Sequence, residues 1–319
     1  MTSLVEKALA FDKFSIAKII SIIESSGVDV GQQCVEIERA LLKKNNTLGR
    51  IVGITGAPGA GKSTLINALV NEMLHRDKTI RVAVVAVDPT SAISKGSLLG
   101  DRTRVQFSDE ARTYFRSQAS DLDLGGIGRT TFRVCRLLTA IFDFVFVESV
   151  GVGQSEIEIA RLADLTLLAL QPFSGDQIQF MKSGIMEIPQ GFVITKCDAQ
   201  ELAKKSYHQL VASLEFSRAV DSSGKTDHLS NRIFMTSALN QEGFPELAEF
   251  VLNAKPLEAH QTQAREAYFI EKEIRYEWGE AGLKAFREIS RSNLQSFEEN
   301  RKGILAALPA LIREALNKQ

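Results

Sequence analysis

Ile51-Val-Gly-Ile-Thr-Gly56-Ala-Pro-Gly-Ala-Gly61-Lys62-Ser63-Thr-Leu-Ile66 is the stretch whose reading decides the fold. An apolar strand leads into a glycine-rich turn, and the turn opens a helix. Gly56, Ala57, Pro58, Gly59, Ala60, Gly61, Lys62 and Ser63 fit the pattern G-x-x-x-x-G-K-[ST] without a mismatch. Glycines permit a backbone path that aims successive N–H groups at a polyphosphate. The helix beginning near Lys62 adds unpaired N–H groups and the positive end of its dipole. Lys62 is placed to reach outer phosphates. Ser63 offers a hydroxyl to Mg²⁺, which prefers oxygen ligands. Thr64 completes the phosphate-binding set.

Outward from this loop, the sequence alternates apolar strands with helical stretches. Arg81–Val87, Phe142–Val147, Leu165–Leu170, Gly191–Lys196 and Arg232–Thr236 read as strands. Their apolar character suits a parallel sheet covered on both faces. The alternation specifies an α/β fold, a doubly wound and mostly parallel sheet. Ligands of such sheets bind beyond the carboxyl ends of the strands. Helices are expected over residues 4–25 and 31–44, giving an N-terminal helical extension over 1–46. The nucleotide-binding domain is expected over 47–256. Residues 257–319 form a C-terminal helical region, with helices over 262–290 and 293–317 and a break near Ser290-Arg-Ser292. Those helices either pack back on their own domain or present a partner or dimer surface.

Composition sets outer bounds. The 319 residues are 44% hydrophobic and 24% charged, as in ordinary globular proteins. A net charge of −1 gives no reason to expect a nucleic-acid surface or a polybasic membrane patch. No apolar run is long enough to span a membrane, and the N-terminus lacks the apolar core of a secretory signal. Cys34, Cys135 and Cys197 form no C-x-x-C pair, which fits a reducing cytoplasm and argues against a disulfide framework or a zinc site. The four histidines are scattered.

A phosphate loop alone does not name a reaction. Asp88, at a strand end before Pro89-Thr-Ser91, is a candidate for the magnesium shell. Asp101, within Gly96-Ser-Leu-Leu-Gly-Asp101-Arg-Thr-Arg104, lies in a loop of the kind that folds over a γ-phosphate and metal. In Glu148-Ser-Val-Gly151-Val-Gly-Gln-Ser-Glu156, the strand-end acid can hold a metal-bound water. Gly151 can present its N–H to the γ-phosphate, so the pair senses that phosphate. Thr195-Lys196-Cys197-Asp198 resembles the guanine-reading N-K-x-D motif, with Thr in place of Asn. Asp198 can accept from guanine N1 and N2 hydrogens, which adenine lacks, and the stem of Lys196 can cover the ring. The turn at Ser237, Ala238 and Leu239, ahead of Gly243, resembles the loop whose backbone N–H groups meet guanine O6.

Together these stretches resemble the methylmalonyl-CoA mutase-associated GTPase family (MeaB/ArgK type) of the SIMIBI class of P-loop proteins. The resemblance rests on Gly56–Thr64, Val87–Ser91, Gly96–Arg104, Leu124–Gly126, Glu148–Glu156, Ser174–Gln177 and Lys182–Glu187. It extends over most of residues 5–290. Departures are Ser149 for the usual Thr, Thr195 for the usual Asn and Phe180 for a small residue. The resemblance implies a cytoplasmic GTP-hydrolysing chaperone that binds GTP or GDP with Mg²⁺. Its partner would be an adenosylcobalamin-dependent acyl-CoA mutase, whose cofactor loading it gates. It also implies a homodimer formed through the C-terminal helices. Catalysis would then fall to Lys62, Asp101, Glu148 and Gly151, with Ser63, Asp88, Asp101 and Glu148 around the metal. Asp176, Gln177 and Lys182 would relay nucleotide state to the partner, and Gln154 is a candidate for positioning water. Two rivals stay open: a metal-insertion GTPase of the nickel or cobalt type, and an ATP-dependent small-molecule kinase.

Overall fold

The computed structural model describes residues 2–25, 33, 36–37, 39–41, 48–89, 106–120, 127–128, 130–149, 154–172, 189–220, 232–292, 310, 312–314 and 316–317. At 88–89, 119–120, 154–156, 216–220 and 289–292 it describes the backbone only. The chain divides into two compact units. One comprises residues 49–131 and 142–256; the other comprises residues 1–48, 132–141 and 257–319.

The first unit is built on a seven-stranded, all-parallel sheet. Its strands are β1 (Arg50–Thr55), β2 (Val82–Pro89), β3 (Thr113–Ser120), β4 (Phe144–Glu148), β5 (Leu165–Leu170), β6 (Gly191–Ile194) and β7 (Ile233–Met235), in the order β3-β2-β4-β1-β5-β6-β7. The chain winds outward from β1 to β2 and β3. It then returns to place β4 between β2 and β1, and winds the other way through β5, β6 and β7. The central strand is therefore the one that carries the glycine-rich turn, at the point where the winding reverses. Every residue of β5 is buried, as is all of β1 except Arg50, because helices cover both faces of the sheet.

Helix α3 (Lys62–Arg76) follows that turn. Its buried residues Leu65, Ile66, Leu69, Val70, Met73 and Leu74 recur as i, i+4 pairs and form one apolar stripe. The stripe packs with Val52, Ile54, Val84 and Phe146 of the sheet and Leu247, Ala248 and Val251 further along the chain. Each such side chain contributes about 1.5–3 kcal/mol relative to exposure. A second cluster joins Leu168, Leu170, Phe192 and Ile194 to Ala203, Leu210 and Leu214. Arg112 locks the edge of the sheet. Its guanidinium donates to the carbonyls of Leu74, Asp77 and Ile80 and to Asp109, so it caps the far end of α3 just before β3 begins.

Strand β3 corrects the sequence reading, which placed only helical stretches between the second and third apolar strands. Thr113-Tyr-Phe-Arg-Ser-Gln-Ala-Ser120 carries no apolar run. As an edge strand it needs one hydrogen-bonded neighbour, and all eight residues pair with β2.

In the helical unit, two expected boundaries move. Residues 4–25 are two helices, α1 (Thr2–Leu9) and α2 (Lys13–Glu24). Phe11 has φ 70°, and Asp12 caps α2 by accepting from the Ser15 N–H at 2.9 Å. That bond and the Ser15 hydroxyl hold the Asp12 carboxyl below its usual pKa. Near the C-terminus, the break expected at Ser290–Ser292 lies instead at Gly279 (φ 65°, ψ −166°), and residues 290–292 are helical. A continuous helix would set Glu271 and Arg287 about 24 Å apart. They form an ion pair at 2.7 Å, so the chain reverses at Gly279. Ile270, Ile274, Leu283 and Phe286 pack together on the inside of that hairpin with Ile312. Helix α4 (Thr131–Leu138) enters the same unit from Phe132 onward. Phe132 stacks on Phe269 at 4.6 Å, and Arg133 and Arg136 pair with Glu273 and Glu266.

Candidate nucleotide-binding site

The turn after β1 is shaped by three glycines. Gly56 has φ 146°, and a Cβ there would lie 2.2 Å from the Ala169 carbonyl oxygen of β5. Gly59 and Gly61 have φ 80° and 85°, in the left-handed region where side chains are disfavoured. The Ala60 N–H closes the turn onto the Ala57 carbonyl at 3.1 Å. Gly61 then starts α3 with no side-chain cap. A helix leaves its first amides without intrahelical partners, and here they face the turn with the dipole's positive end behind them.

Lys62 is buried. Its Nζ donates to the carbonyls of Gly56 at 2.8 Å and Ala57 at 3.1 Å. These bonds offset the desolvation of the ammonium and hold it across the loop. Ser63 Oγ donates to Glu148 Oε1 at 2.7 Å. Sheet register explains the meeting: Ile54 of β1 stands opposite Glu148 at the end of β4. Ala86 of β2 flanks Glu148 on the other side, so the Asp88 backbone lies two residues further along the same edge. Behind the pair, the Ser149 hydroxyl donates to Thr55 Oγ1 at 3.1 Å, joining the tips of β1 and β4.

The opposite wall comes from β6. Thr195 is buried, and its Oγ1 donates to the Ala60 carbonyl at 2.7 Å. Lys196, at φ 54°, lays its side chain along the loop and donates to Gly59 O at 2.8 Å and Gln171 Oε1 at 3.0 Å. Cys197 is buried, and burial raises its thiol pKa to about 11. Its N–H bonds to the Thr236 carbonyl, which ties the turn after β6 to the turn after β7. Asp198 is exposed at this turn. The 237–242 loop closes through paired backbone bonds between Ser237 and Glu242. Ser237 is buried, Ala238 half-buried and Leu239 exposed. Gly243 ends that loop at φ 77°, where a Cβ would lie 1.9 Å from the Met235 carbonyl.

The site residues proposed from sequence thus divide into groups. The loop 56–64, Glu148, Thr195 and Lys196 are drawn together by direct bonds. Asp198, Ser237, Ala238 and Leu239 sit on the two turns beside them. Asp101, Gly151, Asp176, Gln177 and Lys182 lie outside the described residues, as do the side chains of Asp88 and Gln154. Among the described residues, no group of three or more His, Cys, Asp and Glu could hold a metal ion. No described helix is long and apolar enough to cross a membrane. Sequence reasoning assigned Gln171 no contact in the site. Its only signal was its position just past β5, at the ligand-binding edge.

A glycine-rich loop leaving the central strand of a parallel sheet, with a bonded Ser–Glu pair on one side and a T-K-x-D turn on the other, defines a P-loop protein of the GTPase type. The chain belongs to the methylmalonyl Co-A mutase-associated GTPase MeaB family, whose model matches residues 16–278. A Pyrococcus horikoshii protein that bears a provisional GTPase name is 40% identical over 217 residues, 67% of this chain and 66% of that one. The mitochondrial methylmalonic aciduria type A homolog of Caenorhabditis briggsae is 35% identical over 252 residues, 75% of this chain and 60% of that one. The chain thus spans somewhat less than two thirds of the length of these relatives. The crystal structure of a protein described as an LAO/AO transport system kinase superposes with a TM-score of 0.63, at 24% identity. It covers 98% of this chain and 97% of the other, a likeness of fold.

Proposed function

We propose that this chain hydrolyses GTP to GDP and phosphate and uses the reaction to time its action on an adenosylcobalamin-dependent acyl-CoA mutase, gating cofactor loading and protecting or reactivating the enzyme. The observation that carries the reading is the Ser63–Glu148 bond beside the buried Lys62. Ser63 gives its one proton to Glu148, which leaves the lone pairs of Oγ for a cation. An all-oxygen set of hydroxyl and carboxylates suits Mg²⁺. Ser63, with Glu148, Asp88 and Asp101 in the inner or outer shell, would hold it. Bound there, the ion would neutralise charge on the β- and γ-phosphates.

The chain's own groups do the remainder by positioning and electrostatics. Lys62 holds an ammonium at the loop for the outer phosphates. The amides of residues 59–64 surround the polyphosphate. Gly151 reports the γ-phosphate, and the loop containing Asp176, Gln177 and Lys182 carries that state to the mutase. Asp198 selects guanine, and the Ser237–Leu239 turn meets its O6. The helices of residues 257–319 form a homodimer, and the protein acts in the cytoplasm. No side chain in the described site is placed as a strong base, so turnover alone is slow.

Phosphate release from GTP and from ATP, with and without a cobalamin-dependent acyl-CoA mutase, tests the reading, with Lys62→Ala as control. Slow, GTP-selective release that the mutase accelerates is expected. Release from ATP, indifference to the mutase, or unaided turnover near 10 per second, an ordinary enzyme rate, would overturn it.

A further inference from the structure

We propose that Thr195 makes base selection in this site indifferent to the N7 edge of the purine, so that guanine is chosen from its N1–N2 side alone. The inference rests on the guanine-nucleotide reading above.

The argument starts from the inventory of donors. Thr195 stands one residue beyond β6, at the head of the turn that holds Lys196 and Asp198. It is 5% exposed. Its backbone N–H donates to Leu170 O at 2.8 Å. Its hydroxyl carries one proton. Ala60 O, in the phosphate loop, receives it at 2.7 Å, the ordinary length of a good O–H···O bond. A second carbonyl, Leu170 O, lies at 3.2 Å. The hydroxyl is set against the loop backbone: a Cβ built on Gly61 would lie 3.9 Å from Thr195 Oγ1. Position 195 therefore straps the base-reading turn to the phosphate loop and has no proton left for a base.

An asparagine at this position would bring two amide protons in place of one. One could keep the strap to Ala60 while the other addressed purine N7, which is an acceptor in guanine and adenine alike. The ammonium of Lys196 is likewise directed at the loop and the end of β5, through Gly59 O and Gln171 Oε1. The polar heads of residues 195 and 196 thus both bind protein backbone or Gln171. That leaves the exposed carboxylate of Asp198 as the side chain of this turn that reads the base, and its complement is the N1–N2 edge.

The test is calorimetric titration of the full chain with GDP, 7-deaza-GDP and ADP. The deaza nucleotide replaces the N7 acceptor by C–H and leaves N1, N2 and O6 unchanged. The wild type should bind GDP and 7-deaza-GDP within about twofold, since no hydrogen bond is lost. Thr195→Asn should acquire a preference for GDP of about five- to tenfold, the effect of one neutral hydrogen bond. Thr195→Ser, which keeps the single donor, should stay within about twofold. Wild-type discrimination of about fivefold or more against the deaza nucleotide would overturn the inference. So would a folded Thr195→Asn protein that remains indifferent. The wild-type comparison decides even if that variant does not fold. Failure to bind GDP, or equal binding of ADP, would instead overturn the guanine-nucleotide reading.

Discussion

Replacing Gly56 and Gly59 separately by alanine isolates what the loop demands of its backbone. Both residues have positive φ, 146° and 80°, but their surroundings differ. At Gly59 nothing lies within 4 Å of an added Cβ, so Gly59→Ala bears only the left-handed conformation. That costs about 1–2 kcal/mol. At Gly56 the methyl would stand 2.2 Å from Ala169 O and 3.3 Å from Ala169 Cβ. Relieving the overlap means moving the loop, or β5, by about 1 Å, since ordinary carbon contacts begin near 3.5 Å. β5 is fully buried and pairs with β1 up to Thr55↔Leu168, so the shift disrupts a packed sheet. Backbone strain and overpacking together come to about 3–5 kcal/mol. For a unit of about 200 residues, each kcal/mol moves Tm by roughly 2–4 °C. Gly59→Ala should therefore melt about 2–8 °C below wild type, and Gly56→Ala at least about 6 °C below it. Circular-dichroism melting of the three proteins is the assay. Equal losses for the two variants, or a Gly56→Ala protein as stable as wild type, would refute the close approach of β5 as the reason for glycine.

Three further outcomes are expected. Gly279→Ala should destabilise the C-terminal hairpin by about 1–3 kcal/mol, because its φ/ψ pair is open essentially to glycine alone. Trp278 is the single tryptophan, so urea unfolding followed by its fluorescence reads the shift, and an unchanged midpoint would contradict the reversal. Arg112→Ala strands the carbonyls of Leu74, Asp77 and Ile80 and should cost about 1–3 kcal/mol in chemical denaturation, with Arg112→Lys rescuing little because one ammonium cannot span the set. The Cys197 thiol, raised by burial from 9.0 to about 11, should resist iodoacetamide at pH 8 in site-resolved mass spectrometry. Because the folded pKa lies above the unfolded one, its stabilising contribution is full below pH 9 and is lost as pH rises toward 11.

The legible parts of this chain are those where function or burial constrains consecutive residues. The phosphate loop needs glycine, lysine and serine at set spacing, and the strands at the centre of the sheet are apolar throughout because both faces are covered. β3 escaped that logic: one neighbour at the edge tolerates Arg116, Ser117 and Gln118. The breaks at Phe11 and Gly279 escaped because single residues reverse the chain inside patterns that otherwise repeat at helical spacing. Sequence by itself determined the fold class, the identity of the loop and the kind of chemistry its residues perform. Tertiary structure alone decided which groups meet. Thr195 and Ala60 are 135 positions apart, and Ser63 and Glu148 are 85 apart. Only the return of β4 beside β1, with β5 and β6 following on its other flank, closes those distances to 2.7 Å, because hydrogen bonds act over a few ångströms and carry no trace in local sequence spacing.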